Sequence, residues 1–230
     1  MRFRIRILVA LSLATLTACT GSDGEEQLVT DGPTIALAAA DALNEVESVT
    51  FTLTPSGAPA FIDASGAMAV VSAKGRAIVP DAADALIVVA VGGGALKTEV
   101  GAVAIGDEAW WSNPLTGEFE PLPPEFNIDP RQFFDPQNGW RPLLLELAEP
   151  TFVGEEDGLY HLSGTASAER IAVVTAGLVQ DQTIPIDVWV DPVTALPHRV
   201  EFTATFDGNE TNWLLELSGY NEDYIIEPPV

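Results

Sequence analysis

The 230-residue sequence is poor in basic residues, histidine and cysteine, and each shortage excludes a class of function. It has only 10 Lys and Arg against 34 Asp and Glu, for a formal net charge of -24. Because nucleic-acid binding needs clustered Lys and Arg to neutralise phosphates, we expect no DNA or RNA partner. The two histidines, His161 and His198, have no metal-ligand spacing between them. The single cysteine, Cys19, leaves the chain without an internal disulfide.

Motifs of catalysis and cofactor binding are also missing. There is no Gly-x-Ser-x-Gly elbow, and Gly92-Gly93-Gly94 lacks the Lys-Ser/Thr of a phosphate-binding loop. No twelve-residue calcium-loop pattern occurs. Among so many acidic residues some carboxylates will be neighbours by chance, and we interpret them as a solvated surface. We therefore predict a protein that is not an enzyme and has no cofactor or metal site.

Apolar residues are abundant, at 47% of the chain. A disordered acidic chain would have far fewer, so this protein folds around a core. About two hundred residues can bury enough apolar surface to be stable as one domain without disulfides.

The N-terminus predicts export. Three arginines, Arg2, Arg4 and Arg6, accompany an apolar stretch over residues 5–16 that is shorter than the roughly 20 residues of a membrane-spanning helix. The following Leu16-Thr17-Ala18-Cys19 resembles the bacterial lipobox, in which the cysteine is lipidated and becomes the mature N-terminus. We predict a lipoprotein signal peptide at residues 1–18 and lipidation of Cys19. The alternative is an ordinary signal peptide with a chance cysteine.

Processing at this site would make the protein more acidic. Removal of 18 residues, among them three arginines and no acid, leaves 212 residues with a net charge of -27. Residues 19–32, rich in Gly, Ser, Asp and Glu, read as a flexible tether, and residues 33–230 as a single domain. We expect a membrane-anchored protein on the extracytoplasmic face.

The folded part begins with one helix and continues mainly as strands. Asp31 to Thr34 is typical of a helix start, and apolar residues then recur at helical spacing to Val46. Period-two or continuous apolar runs predict strands at 49–54, 67–73, 85–91, 99–105, 108–112, 159–166, 184–190, 200–206, 213–217 and 224–226. Short helices are predicted at 129–134, 139–147 and 168–177.

Two of these segments carry unusual apolar surface. The strand from Leu86 to Val91 is apolar on both faces, so either a covering element or a cavity must lie on its second face. In the helix from Gly139, apolar residues recur at i, i+3, i+4 and i+7, and the simplest interpretation of this stripe is core.

Several sequence patches carry a resemblance to a known family. They are Asp129-Pro130 leading to Gly139-Trp140, the segments Gly158–Gly164 and Ile186–Asp191, the segment Leu196–Val200, and Leu217–Tyr220 near the end. With the lipobox and the order of elements, the chain resembles the LppX/LprA/LprF/LprG lipoproteins of actinobacteria.

The resemblance implies an α+β fold in which a curved antiparallel half-barrel sheet packs over several helices and leaves a hydrophobic cavity. It also implies a carrier that takes acyl lipid or glycolipid from the plasma membrane toward the outer envelope. The expected partners are that lipid, the membrane through the lipidated N-terminus, and an export-machinery protein. The acidic body favours an uncharged lipid, and the short segment 55–63 indicates a small portal or cavity.

The residues expected to line the cavity are apolar and lie on predicted strands and helices. They are Phe51, Leu53, Val88, Phe133, Phe134, Trp140, Leu144, Leu147, Val188 and Phe202. Each is also explained as plain core, and a lipid-anchored scaffold or regulatory protein without a ligand is the alternative function.

Overall fold

Apolar alternation along the chain builds one antiparallel sheet. The computed structural model describes residues 30–62, 66–122, 130–206 and 208–229, so Cys19, the predicted signal peptide and all but the end of the predicted tether lie outside the described residues. In the described part, twelve strands form this sheet: β1 Ser48–Gly57, β2 Ala60–Phe61, β3 Met68–Ile78, β4 Ala82–Val91, β5 Leu96–Ile105, β6 Glu108–Ser112, β7 Phe119–Pro121, β8 Ala148–Glu156, β9 Leu159–Ala166, β10 Ile184–Val190, β11 Pro197–Phe206 and β12 Asn209–Ser218.

The sheet is open and curved, and its first and last strands, β1 and β12, lie side by side at its centre. The strand order is β7-β6-β5-β4-β3-β1-β12-β11-β10-β9-β8, with β2 paired to β3 outside this path. β1 is hydrogen-bonded to β3 on one side and to β12 on the other. The N-terminal and C-terminal meanders are therefore continuous in one sheet.

Helices cover one face of the sheet, which we call the inner face. Helix α1, Gly32–Asn44, starts where the Asp31 carboxylate accepts a hydrogen bond of 3.0 Å from the Thr34 N–H. Its Ile35 and Ala39 are fully buried in the same core as Val188 of β10. Three shorter helices complete this layer: a 3-10 helix Pro130–Phe134, α2 Trp140–Leu145 and α3 Ala168–Val174. Within the described ranges, none of the helices has the length and hydrophobicity to cross a membrane.

The predicted helices and most predicted strands are present. Three strands of the structure are not predicted: β8, which lies at the sheet edge and has mostly exposed residues and two register shifts, and the short β2 and β7. The predicted strand at 224–226 is wrong. Both sides of β1 are already paired, so this tail instead hydrogen-bonds across β1, with the Tyr224 hydroxyl 2.8 Å from Thr50 Oγ1.

Candidate functional site

An apolar pocket lies between the inner face of the sheet and the short helices. Its cavity volume is about 80 Å³, and the space grows to about 840 Å³ only when the solvent at its open side is included. Strands β1, β3, β4, β5, β11 and β12, the 3-10 helix, α2 and the end of α3 with its following loop all contribute to it. The lining residues are Phe51, Leu53, Ile62, Val70, Ala73, Ala85, Ile87, Ala102, Phe133, Phe134, Trp140, Val174, Thr175, Ala176, Leu178, Phe202, Trp213 and Leu215.

Small residues on the sheet make the space. In the register of the strands, Phe51 of β1 pairs with Gly75 of β3, Gly75 pairs with Ala85 of β4, and Ala85 pairs with Ala102 of β5. One row of the inner face thus has a large side chain on β1 and almost none on the next three strands. A Cβ placed on Gly75 would lie 2.6 Å from Cζ of Phe51. The phenyl ring therefore lies directly over the glycine and forms a wall of the pocket.

Aromatic rings make the other walls. Phe51 lies 6.4 Å from Phe133 and 5.9 Å from Phe134, centroid to centroid. Phe202 and Trp213 are stacked at 5.8 Å with an interplanar angle of 8°. Such aromatic pairs contribute stabilisation beyond their buried area.

The lining offers few polar groups. Among the described residues around the pocket, Thr175 has the only side-chain hydroxyl, and it is already engaged. The hydroxyl donates to the Ile171 carbonyl at 2.7 Å and accepts from the Val179 N–H at 3.1 Å. The buried indole N–H of Trp213 has no hydrogen-bond partner among the described atoms. No charged side chain lines the pocket, so its chemistry suits hydrocarbon.

The structure brings six of the ten predicted lining residues together around this pocket. They are Phe51, Leu53, Phe133, Phe134, Trp140 and Phe202. Leu144, Leu147 and Val188 are buried in the core beneath the helices and do not line it. Val88 is half-buried on the opposite face of β4, because its neighbour Ile87 takes the inner position. Cys19 lies outside the described residues.

Sequence reasoning missed the small residues, one loop and several large apolar residues, among them Ile87, Trp213 and Leu215, which it placed on strands without assigning them to the cavity. A pocket is made where side chains are absent, and a search for large apolar residues passes over alanines such as Ala73, Ala85 and Ala102. The signal that could have found them is their period-two spacing on strands that pair in register. Nothing in the sequence predicts that the loop through Ala176 and Leu178 turns toward the sheet.

A polar cluster lies away from the pocket on the C-terminal strands. The rings of His161 and Trp189 are stacked at 4.4 Å, and the Arg199 guanidinium lies 3.7 Å from the Trp189 ring. The Trp189 indole donates to Glu156 at 2.9 Å, and this hydrogen bond, with a further contribution from Arg199, lowers the pKa of Glu156. Asp187 is 2.8 Å from His161 Nε2. Arg199 also forms ion pairs with Glu156 at 3.4 Å and Glu201 at 3.3 Å, and such pairs are common on protein surfaces and contribute little stability.

The described ranges contain no group of three or more His, Cys, Asp and Glu side chains arranged to hold a metal ion. The pocket is therefore the feature whose shape and chemistry point to a function.

Comparison with known proteins identifies relatives of this fold. The model of the LppX_LprAFG lipoprotein family matches residues 31–226. LprF from Mycobacterium bovis superimposes with a TM-score of 0.64 at 16% identity, over 89% of this chain and 99% of LprF. LppX from Mycobacterium tuberculosis superimposes with a TM-score of 0.57 at 15% identity, over 85% of this chain and 97% of LppX. No curated protein matches the chain in sequence. The extent of the family match shows that the chain belongs to the LppX_LprAFG lipoprotein family.

Proposed function

We propose that this protein is a lipid carrier of the cell envelope, anchored by Cys19 to the extracytoplasmic face of the membrane. In this proposal the pocket on the inner face binds the acyl chains of a lipid or glycolipid. Family membership supports lipid binding in general. The observation that carries the proposal for this chain is an apolar pocket whose one lining hydroxyl, that of Thr175, is already hydrogen-bonded within the protein.

The energetics of lipid transfer favour such a lining. Each methylene taken from an apolar environment into water costs about 0.8 kcal/mol, so a chain leaves a bilayer only for a site of comparable hydrophobicity. A free hydroxyl or charge in the wall would lose its own hydration on binding and oppose the transfer. Here the hydroxyl of Thr175 keeps its partners whether or not an acyl chain is present.

The same lining favours an uncharged ligand, or a ligand whose polar head stays in solvent. An anionic headgroup inside the pocket would have no cation to pair with, because no Lys or Arg lines it. We propose that the protein moves its cargo from the plasma membrane toward the outer envelope. No covalent step is needed.

A pair of neighbouring substitutions tests the proposal. Ala85 lines the pocket, whereas Leu86, the next residue of β4, lies on the opposite face and is 48% exposed. Ala85→Trp places an indole in the pocket, and Leu86→Trp adds the same group outside it. The measurement is acyl lipid recovered by organic extraction and native mass spectrometry from protein made in its own host.

We expect lipid on the wild type and on Leu86→Trp, and a loss of about tenfold or more on Ala85→Trp, since filling the pocket removes the burial of several methylenes. A thermal melt checks that both variants fold. Wild-type protein free of lipid would refute carriage and favour the scaffold alternative. Equal lipid on both variants would show that binding occurs elsewhere.

A further inference from the structure

Three apolar side chains continue the inner face of the sheet beyond the pocket. Met68 of β3 pairs with Val91 of β4, and Val91 pairs with Leu96 of β5. The next inner positions along β3 and β4 are Val70, which lines the pocket, and the fully buried Val89. Met68 and Val91 are half-buried and Leu96 is 64% exposed. We call Met68, Val91 and Leu96 the apolar rim.

The turn beside the apolar rim contains three exposed glycines. Gly92, Gly93 and Gly94 have φ angles of 62°, 70° and 92°, values that glycine adopts without strain. A Cβ added to any of the three would meet no atom within 4 Å. The β4–β5 turn is therefore uncrowded, and Leu96 beside it is open to solvent.

The charge near the apolar rim differs from that of the whole chain. Residues 66–99 contain three basic and three acidic residues, in a sequence with a net charge of -24. Of the three acids, Asp84 pairs with Arg76 and Asp81 lies at that same far end of the hairpin, whereas Glu99 is exposed two residues after Lys97. Lys97, next to Leu96, is exposed. This hairpin is thus neutral overall, and it can approach anionic headgroups with less repulsion than the acid-rich strands that follow it.

The pocket reaches the same end of the sheet. Ile62 and Val70 line it, and the Ile62 N–H donates to the Met68 carbonyl at 3.0 Å. Leu178, in the loop that leads to the start of β10, is half-buried and also lines the pocket. An acyl chain that leaves the pocket here would pass along apolar side chains to the apolar rim.

We propose that the apolar rim and the β4–β5 turn dock into the surface of a lipid bilayer, with Lys97 among the headgroups. A bilayer surface has phosphates outside and apolar chains beneath them. The exposed Leu96 can contact the apolar chains while Lys97 contacts the phosphates, and the turn between β4 and β5 has no acid to oppose this. The contact places one end of the pocket against the leaflet. Lipid loading is not required for it, so this inference goes beyond the proposed function and can fail independently.

Vesicle binding tests the docking. The protein is the full chain carrying Cys19→Ser, so that no acyl anchor holds it to the vesicle, and the probes are phosphatidylcholine vesicles with and without phosphatidylglycerol. Leu96→Glu adds an acid to the apolar rim. The matched control is Leu115→Glu, which makes the same change at a leucine that is 93% exposed in the β6–β7 connection.

Leu96→Glu should weaken flotation with both vesicle types by about tenfold or more, because a leucine side chain no longer leaves water on docking. Leu115→Glu should bind as the wild type does. An environment-sensitive dye on Leu96→Cys should shift to the blue on adding vesicles, and the same dye on Leu115→Cys should not. Melting temperatures verify the fold of each variant.

Two results would overturn the inference. One is equal binding by Leu96→Glu and the wild type, and the other is equal loss in both glutamate variants, which would reflect overall charge. If Leu96→Glu instead dissociates a dimer in sedimentation and leaves vesicle binding unchanged, the apolar rim is a protein interface and the proposal is wrong. Vesicle binding by protein that carries no extractable lipid would uphold the docking while refuting lipid carriage.

Discussion

Gly75 offers the sharpest test of how the pocket is built. A Cβ at this position would lie 2.1 Å from the Asp84 carbonyl oxygen and 2.6 Å from Cζ of Phe51, whereas real Cβ contacts stay above 3.0 Å. The first contact is with backbone inside a paired strand, which cannot move without breaking the β3–β4 ladder. The second is with a ring that is held by Phe133 and Phe134. Gly75→Ala must therefore strain the sheet, displace the Phe51 ring, or do both.

The expected cost follows from the size of these overlaps. Overpacking a core by one methyl typically costs 1–3 kcal/mol, and with backbone on one side we expect about 2–3 kcal/mol. For a domain of this size each kcal/mol lowers the melting temperature by about 2–4 °C, so the midpoint should fall by about 4–12 °C. The Phe51 ring, pushed off the sheet, should also enter the pocket and reduce the lipid that the protein retains.

Gly154→Ala is the control for Gly75→Ala. Gly154 is also within a strand, β8, but a Cβ added to it would meet nothing within 4 Å. Its substitution should leave the melting temperature unchanged or raise it slightly, because alanine restricts the unfolded chain. Thermal denaturation followed by circular dichroism measures both variants. Equal midpoints for the two would refute the close approach at Gly75 and, with it, our account of why the pocket exists.

Three further predictions concern the first turn of α3, pH dependence and the anchor. Ser167→Ala removes the side-chain acceptor of the Arg170 N–H and should lower the free energy of unfolding by about 1 kcal/mol. Ser167→Thr keeps a hydroxyl at this position and should retain most of the wild-type stability. Urea denaturation measures both variants. The Arg170 guanidinium donates two hydrogen bonds to Glu146 and thereby lowers the pKa of that carboxyl. The pair therefore stabilises the fold fully at pH values above the ordinary pKa of 4.5. This stabilisation is lost as the pH falls through the lower pKa of the folded state. Melts over this acidic range should show a smaller pH dependence for Glu146→Gln, with the difference vanishing in high salt; an identical dependence would refute a role for the pair. A fatty-acid analogue should label the wild type and not Cys19→Ser, and a label that persists would reject the lipobox assignment.

Sequence patterns correctly predicted the elements whose apolar residues lie on one face only. Helix α1 has both a capping residue, Asp31, and a helical apolar period. Strands β10, β11 and β12 alternate cleanly, and their buried residues are the predicted ones, such as Ile186, Phe202 and Trp213. In these elements local preference and tertiary burial agree, and the sequence is then sufficient to place a face.

The pocket could be predicted only in part because β4 is apolar on both faces, so its sequence does not show which face is buried. Its apolar run gives Ile87 and Val88 equal hydrophobicity, and only pairing with β3 decides that Ile87 faces the pocket. A bulge between Val70 and Ser72 shifts the register along β3, which period-two counting does not anticipate. The apolar stripe of α2 is likewise split between two environments: Trp140 lines the pocket, whereas Leu144 is buried in the core.

The uneven charge gives the proposed docking a direction. Of the 34 acidic residues, 23 follow residue 99, where they face only four basic residues, whereas residues 66–99 contain three of each sign. Near an anionic leaflet the acid-rich remainder is repelled within a Debye length of about 8 Å, so the end bearing the apolar rim should turn toward the membrane. The predicted tether from Cys19 to Thr30 can span at most about 40 Å, several times that length, which lets an anchored domain stand off or dock. Added salt should weaken the repulsion of the many acids far more than the attraction of the single Lys97 to headgroups, and it leaves the apolar contact of Leu96 intact. Docking of the anchored protein should therefore increase with salt on anionic membranes and stay constant on neutral ones.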